Sequence, residues 1–264
     1  MPATATHSRQ TTFFVCLSQA RKSTLLLDYD GTLAPLRPER NCAFPYAPVP
    51  QLLEGIASAG CTRIVLISGR PAREIPPLLG LKKHPEIWGS HGMERLLPNG
   101  EYKAVKLDAR LSAAFATASA GLEREGLGSR MEWKPGSLAI HWRGLPQPEV
   151  GEIWTTALRI LQPVAFSNGL LLSNFDGGVE MRVKNPNKGD AVQAILKGNG
   201  SHVPVAYLGD DTTDEDAFAC VNPLGLTALV RDVYRPTTAQ IWLRPPEELL
   251  AFLSQWLQAC GGES

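Results

Sequence analysis

Cysteine is sparse in this chain of 264 residues, and the five present, Cys16, Cys42, Cys61, Cys220 and Cys260, form no CxxC pair. A CxxC zinc or thiol-redox motif is thereby excluded, and so odd and scattered a set is expected to be reduced, without disulfides or zinc. An excess of charge is missing too, since 26 Lys plus Arg balance 26 Asp plus Glu. Nothing basic argues for a nucleic-acid partner and no acidic tail argues for disorder, so an anionic substrate must be bound by local groups. No hydrophobic run approaches a membrane span. The apolar stretch Phe13-Phe14-Val15-Cys16-Leu17 follows Arg9, but it is shorter than a secretory signal core and no small-residue cleavage site comes after it. A soluble, cytoplasmic protein with no membrane partner is expected. Repeats and low-complexity segments are absent. What remains is a chain with 44% hydrophobic residues, enough for a sizeable core in one large domain or two smaller ones, of which two are preferred.

The most informative stretch is Leu25-Leu26-Leu27-Asp28-Tyr29-Asp30-Gly31-Thr32-Leu33. Three leucines behind Thr24 predict a strand covered on both faces, as inside a parallel sheet, and Gly31 releases the chain into a loop. Ligands of open α/β sheets bind at the carboxyl ends of such strands. If the strand continues, Asp28 and Asp30 share a face, and like charges that close need a cation or a shared proton. An oxygen-lined Mg²⁺ site is the simpler answer.

Alternation continues downstream. Residues 50–59 have a helical face of Leu52, Leu53, Ile56 and Ala57, ended by Gly60, and 62–67 predicts a second buried strand closed by Ser68-Gly69-Arg70. A helical start at Pro71 and a short strand at Ile87-Trp88 follow, the latter ending in Gly89-Ser90-His91-Gly92. The pattern then changes: residues 96–180 mix strand-like segments with helical candidates at 111–124 and 149–161, and are read as an inserted α+β domain. The core is thus expected in two parts, 1–95 and 181–264. In the second part, a helix over 189–196 precedes a hydrophobic strand at 203–208 that again ends in carboxylates, Gly209-Asp210-Asp211-Thr212-Thr213-Asp214-Glu215-Asp216. A helix begins near Asp214, strands are expected at 226–230 and 241–242, and a last helix at 247–257.

Two acidic strand ends converging on one sheet edge suit phosphoryl chemistry. Asp28 is the candidate nucleophile and a metal ligand, because a carboxylate can attack phosphorus to give an aspartyl phosphate. Asp30 is the candidate general acid and base and a further ligand. Asp210 completes the metal set, with Asp211 and Asp214 orienting ligands or waters behind it. Ser68 is expected to offer its hydroxyl and backbone N–H to a phosphoryl oxygen beside Gly69, Lys188 to neutralise its charge, and Gly31 and Thr32 to add backbone and hydroxyl donors. Hydrolysis of a phosphate monoester asks such groups jointly to remove a barrier of about 20 kcal/mol.

In this order, Asp28-Tyr29-Asp30-Gly31-Thr32, Ser68-Gly69-Arg70, Lys188 and the acidic run from Gly209 resemble the four motifs of the haloacid dehalogenase-like phosphatases. Gly89-Ser90-His91-Gly92-Met93-Glu94, Lys134-Pro135-Gly136-Ser137 with His141-Trp142-Arg143, and Val179-Glu180-Met181-Arg182 before Asn187-Lys188-Gly189 make the trehalose-6-phosphate phosphatases the closer resemblance, over roughly residues 20–255. It implies a Rossmann-like three-layer core with a parallel sheet, and a mobile cap inserted between the second and third motifs that closes over a disaccharide phosphate. It also implies that Lys134, Ser137, His141, Arg143 and Glu180 bind sugar hydroxyls. Where the family often has Arg-Pro after the glutamate, this chain has Met181-Arg182-Val183.

The expected reaction is Mg²⁺-dependent hydrolysis of trehalose 6-phosphate by a monomer coupled in function to a trehalose-phosphate synthase. Rivals are a phosphatase for mannosyl-3-phosphoglycerate or sucrose 6-phosphate, and a catalytically silent sugar-phosphate-binding partner of such a synthase. Each motif also has a plainer reading. An isolated DxD is commonly a solvated turn, Ser-Gly and Lys-Gly are ordinary turns, and Glu215 and Asp216 are expected only to favour a helix dipole. Trp154 and Trp256, at helical spacing with leucines, are expected in the core, while the plainer alternative for Arg70 is a solvated face and for Glu94 a surface position.

Overall fold

The computed structural model describes residues 3–175, 177–198 and 203–261. The chain runs α1 (Ala3–Gln19), β1 (Ser23–Leu27), α2 (Val49–Ser58), β2 (Thr62–Ile67), α3 (Ile75–Leu79), β3 (Glu86–Gly89), β4 (Glu94–Leu96) and β5 (Tyr102–Ala104). It continues through α4 (Ala109–Arg124), β6 (Met131–Lys134), β7 (Ser137–His141), α5 (Gln147–Asn168), β8 (Leu171–Phe175) and β9 (Gly178–Arg182). It ends with α6 (Lys188–Leu196), β10 (Val205–Gly209), α7 (Glu215–Val221), β11 (Leu226–Val230), β12 (Ile241–Leu243) and α8 (Glu247–Ala259).

One sheet has the order β12-β11-β10-β1-β2-β3-β4-β5, and its strands from β12 to β3 are parallel. The leucine run explains its three layers. Leu25 and Leu27 pack with Phe14, Leu53, Ile56, Phe252 and Trp256 of α1, α2 and α8, while Leu26 points to the opposite face against Val192 and Ile195 of α6 and Phe218 of α7. A strand with apolar residues on both faces is what burial between two helical layers demands. Phe14 lies edge-on to Phe252 with ring centroids 5.1 Å apart, which ties α1 to α8. No described helix is long and apolar enough to cross a membrane.

The second sheet, β6-β7-β9-β8, is antiparallel and is accompanied by α4 and α5. The chain divides into two compact units, one comprising Met1–Lys103 with Asn187–Ser264 and the other Ala104–Pro186. The expected insertion, 96–180, begins earlier and ends earlier. β4 pairs antiparallel with β3, Trp88 opposite Arg95, so this stretch extends the large sheet, whereas β9 through Arg182 pairs with β7 in the small one. Two further expectations are corrected. The helix expected to stop at Leu161 continues through Pro163 to Asn168, because Ala165 extends the buried face of Ala157 and Leu161. Trp256 is buried as expected, but Trp154 is 41% exposed, turned away from that face.

Candidate active site

The strand order places β10, β1 and β2 side by side, so Asp210, Asp28 and Ser68, each the first residue beyond its strand, lie along one edge. The sheet thus gathers residues that sequence separates widely. Asp28, Asp210 and Asp214 each offer a carboxylate oxygen within 4.8 Å of the others, and all three are buried. Lys188, the first residue of α6, is held there by a capping box in which the Asn187 side chain accepts from the Asp190 N–H and the Asp190 carboxylate accepts from the Asn187 N–H. Its Nζ donates to Asp28 Oδ1 (2.9 Å) and Asp214 Oδ1 (2.7 Å).

These carboxylates differ in what remains free. Asp214 Oδ1 also accepts from the Tyr207 hydroxyl, and its Oδ2 accepts from the N–H groups of Asp210 (3.1 Å) and Asp211 (3.0 Å), so it is saturated by protein donors. Among the described residues Asp28 Oδ2 has only the Thr32 hydroxyl, at 3.5 Å. Among the described residues no hydrogen-bond donor reaches the Asp210 carboxylate. A Cβ on Gly31, which sits at φ +79°, would fall 2.1 Å from Asp210 Oδ2, so the carboxylate occupies space that only glycine leaves.

Burial drives the titration of this cluster. It pushes Asp28 up to about 7, against the pull of Lys188 and with the help of Asp214. Burial also raises Asp210 well above the usual carboxylate range, and the charges of Asp28 and Asp214 add to it. Lys188 moves up, because the two carboxylates outweigh the burial that would lower it. Two buried, under-bonded carboxylates facing each other are a donor set that a hard cation relieves, and Mg²⁺ accepts one or two carboxylates. The residues therefore fit the ion, and Asp28 and Asp210 are the two that would hold it.

Asp30 does not join them. Its two oxygens take a fork from Arg70, Nε to Oδ2 and Nη2 to Oδ1, both 2.6 Å. The side chain expected on the metal is thereby turned to a guanidinium 98% removed from solvent, since Arg70 is only 2% exposed. The Ser68 N–H is likewise spent on the Trp88 carbonyl (2.8 Å), so only the hydroxyl of Ser68, which accepts from the Arg70 N–H (3.1 Å), has a proton to give. The Gly31 N–H goes to the Ala34 carbonyl and the Thr32 N–H to the Tyr29 carbonyl, which removes both as backbone donors. Gly69 is required by a close approach, for a Cβ there would meet the His91 ring at 2.8 Å. Asp211 caps Thr212 with its carboxylate (2.7 Å to the N–H) and is exposed, facing away from the cluster.

The sugar-binding candidates lie in the second unit. Register puts Glu132, Lys134, Ser137, His141 and Glu180 on one face of its sheet, opposite the face of Leu138, Ile140, Val179 and Met181. Buried Glu180 accepts from Lys134 Nζ (3.1 Å) and from the Ser137 hydroxyl (2.8 Å), and His141 Nε2 lies 2.6 Å from Glu132 Oε2. Arg143 stacks over Phe175 at 5.9 Å.

Several members were missed from sequence. Arg70 follows Ser68-Gly69 directly and could have been suspected from that position. Glu132 alternates with Lys134 on a strand, which was also a readable signal. Glu94 is buried, not at the surface: it accepts from the Ser90 and Tyr102 hydroxyls and from the Ala72 N–H, holding a turn in which Ser90 and His91 have φ of 48° and 57°. No local signal marks Arg235, which donates to the Asp210 and Asp211 carbonyls.

A family model described as trehalose-phosphatase matches residues 26–243. Trehalose-phosphate phosphatase of Mycobacterium marinum is 30% identical over 249 residues, covering 88% of this chain and 60% of that protein. The chain thus spans about three fifths of the length of that mycobacterial relative. Trehalose-6-phosphate phosphatase of Escherichia coli is 32% identical over 209 residues, 77% of this chain and 75% of that one. Among solved structures, the C-terminal domain of Candida albicans trehalose-6-phosphate phosphatase superposes with a TM-score of 0.76 at 20% identity, covering 96% of this chain and 97% of that one. A Bacteroides thetaiotaomicron haloacid dehalogenase-like hydrolase does so at 0.57 and 15%, covering 88% and 98%. The motifs lie inside the matched span, and the core and inserted unit lie in the shared fold: the chain belongs to the trehalose-phosphatase family.

Proposed function

We propose that this protein hydrolyses trehalose 6-phosphate to trehalose and phosphate, with Asp28 as nucleophile. The observation that carries the proposal is the buried set at adjacent strand ends, Asp28 bound through Oδ1 to Lys188 and open at Oδ2, with an undonated Asp210 beside it. A merely structural ion pair would leave neither carboxylate short of partners. Lys188 fixes the orientation of Asp28 and brings positive charge to the reacting phosphoryl group. Asp28 Oδ2 forms a bond to phosphorus as the bond from phosphorus to the sugar oxygen breaks, and a proton from Asp30 goes to that oxygen. Water then attacks the aspartyl phosphate, gives its proton to Asp30, and releases phosphate with the Asp28 carboxylate restored. Arg70 takes both oxygens of Asp30, so the acid and base work of Asp30 requires that it leave that fork, and the Ser68 hydroxyl donates to a phosphoryl oxygen. When held by Asp28 and Asp210, Mg²⁺ supplies charge neutralisation for the phosphoryl oxygens. The Lys134, Ser137 and Glu180 cluster supplies polar groups that a sugar without the matching hydroxyl would leave unpaired.

The neighbour described as a Candida albicans trehalose synthase regulatory protein, TM-score 0.65 at 14% identity, shares the fold, so fold alone does not separate enzyme from regulator. The test is phosphate release by the purified chain with Mg²⁺ or a chelator, from trehalose 6-phosphate, sucrose 6-phosphate, mannosyl-3-phosphoglycerate and glucose 6-phosphate. Metal-dependent preference for trehalose 6-phosphate is expected. Preference for another substrate would keep the phosphoryl chemistry and discard the sugar assignment. Binding without release would point to the regulatory reading.

A further inference from the structure

The acidic loop after β10 is gripped by a segment that contains none of the motif residues. Arg235 donates from Nε to the Asp210 carbonyl (3.3 Å) and from Nη2 to the Asp211 carbonyl (2.6 Å), and Arg231 Nη1 adds a second guanidinium donor to the Asp210 carbonyl at 3.5 Å. Nη1 of Arg235 pairs with Glu215 Oε1 (2.6 Å), and Glu215 also accepts from the Thr237 hydroxyl (2.8 Å) and from the N–H (2.8 Å) and hydroxyl (2.7 Å) of Thr238. Expected only to favour a helix dipole, Glu215 instead spends its carboxylate on this segment. The segment is anchored in turn. Trp242 Nε1 donates to the Arg231 carbonyl (2.7 Å), Tyr234 packs edge-on against Trp242 at 5.5 Å, and Asn222 Nδ2 donates to the Thr238 carbonyl (2.9 Å).

We propose that Arg235 is a positioning residue for the divalent cation, setting the direction of the Asp210 carboxylate by clamping the backbone around it. The inference rests on the reading of Asp28 and Asp210 as cation holders. Among the described residues no donor reaches the Asp210 carboxylate to orient it, so its orientation comes from its backbone: its N–H is fixed on Asp214 and its carbonyl on Arg235 and Arg231. A carboxylate oriented by its supporting shell binds a metal more tightly than one left free, and loss of such support typically weakens affinity by about 10–100-fold. As a partly buried ion pair with Glu215 and nothing more, Arg235 would matter little to metal binding.

Mn²⁺ binding to the full chain, measured without substrate by the loss of the free-ion electron paramagnetic resonance signal, separates these readings. Arg235→Met should bind Mn²⁺ about tenfold more weakly than wild type. Arg235→Lys, with the charge but not the fork, should fall between them. The Mg²⁺ concentration for half-maximal phosphate release should rise in parallel while KM for trehalose 6-phosphate stays put. Glu215→Gln, which loosens Arg235 without touching the loop, should weaken Mn²⁺ binding in the same direction and carries the test if Arg235→Met does not fold. Wild-type Mn²⁺ affinity in folded Arg235→Met, or in Glu215→Gln should the first not fold, overturns the inference alone. Failure of the wild type to bind Mn²⁺ overturns it together with the cation reading beneath it.

Discussion

At the scale of single residues, Asp28 combines an awkward burial with the nucleophile's role proposed for it. Its burial disfavours the charged form, and Lys188 offsets only part of that cost. Asp28→Asn keeps the shape, removes the nucleophile and spares the fold a buried charge. Turnover of trehalose 6-phosphate should therefore fall by at least about a thousandfold, while the melting temperature stays at or above the wild-type value. Activity assays beside calorimetry check both, and retained turnover would remove Asp28 from the mechanism. Lys188→Met is the converse case. It strands Asp28 and Asp214 without their cation, and breaking a buried pair in this way costs about 3–5 kcal/mol, so Tm should drop sharply along with activity.

Elements were readable where their signal was local. The run Leu25–Leu27 announces a two-faced strand because packing on both sides needs only apolar residues, and Asp28 and Asp210 stand out because carboxylates are costly at a buried strand end. The fork from Arg70 to Asp30 spans forty positions, as the residue numbers show, and depends on β1 and β2 lying side by side; no spacing in the chain encodes it. The same applies to Arg235, whose partners are carbonyl groups that every residue possesses. The helix expected over 149–161 runs on for a reason that is not local: burial of Ala165 carries it through Pro163, a residue that removes one backbone hydrogen bond. Buried Glu86 in β3 gives a prediction at this scale. It binds Arg63 of β2, Arg95 of β4 and the Trp88 indole, and these outweigh its burial and hold its carboxyl below the ordinary 4.5. A depressed carboxyl contributes stability that is present above about pH 4.5 and is lost as pH falls through its lowered value. Glu86→Gln should therefore lower stability at neutral pH and flatten the acid limb of the stability curve, as denaturant titrations from pH 3 to 7 would reveal. An unchanged acid limb would mean that other carboxylates carry that dependence.

Across the whole molecule, chemistry and recognition are assigned to different compact units. The residues proposed for phosphoryl transfer lie in the unit built around the parallel sheet, and the Lys134, Ser137 and Glu180 cluster in the other. That division predicts separable kinetics. Lys134→Ala or Glu180→Gln should raise KM for trehalose 6-phosphate by about 10–100-fold, yet leave turnover of p-nitrophenyl phosphate, which has no sugar, close to wild type. Equal losses on both substrates would place these residues in the phosphoryl chemistry or in folding. The boundaries of the units were the least legible part, because β4 reverses direction within the large sheet and β9 extends the small one. Both depend on partners chosen in three dimensions.

Gly31 joins these scales. The Asp210 oxygen lies where the next smallest side chain would put its first carbon. A methyl group at this position would cost folding about 1–2 kcal/mol for its left-handed backbone, and it would also displace the carboxylate proposed to hold the cation. The backbone conformation and the carboxylate beside it therefore both hold position 31 to glycine. A chain stabilised elsewhere could absorb that folding cost and still melt high with its proposed pocket filled, so endurance to heat is no measure of a working site.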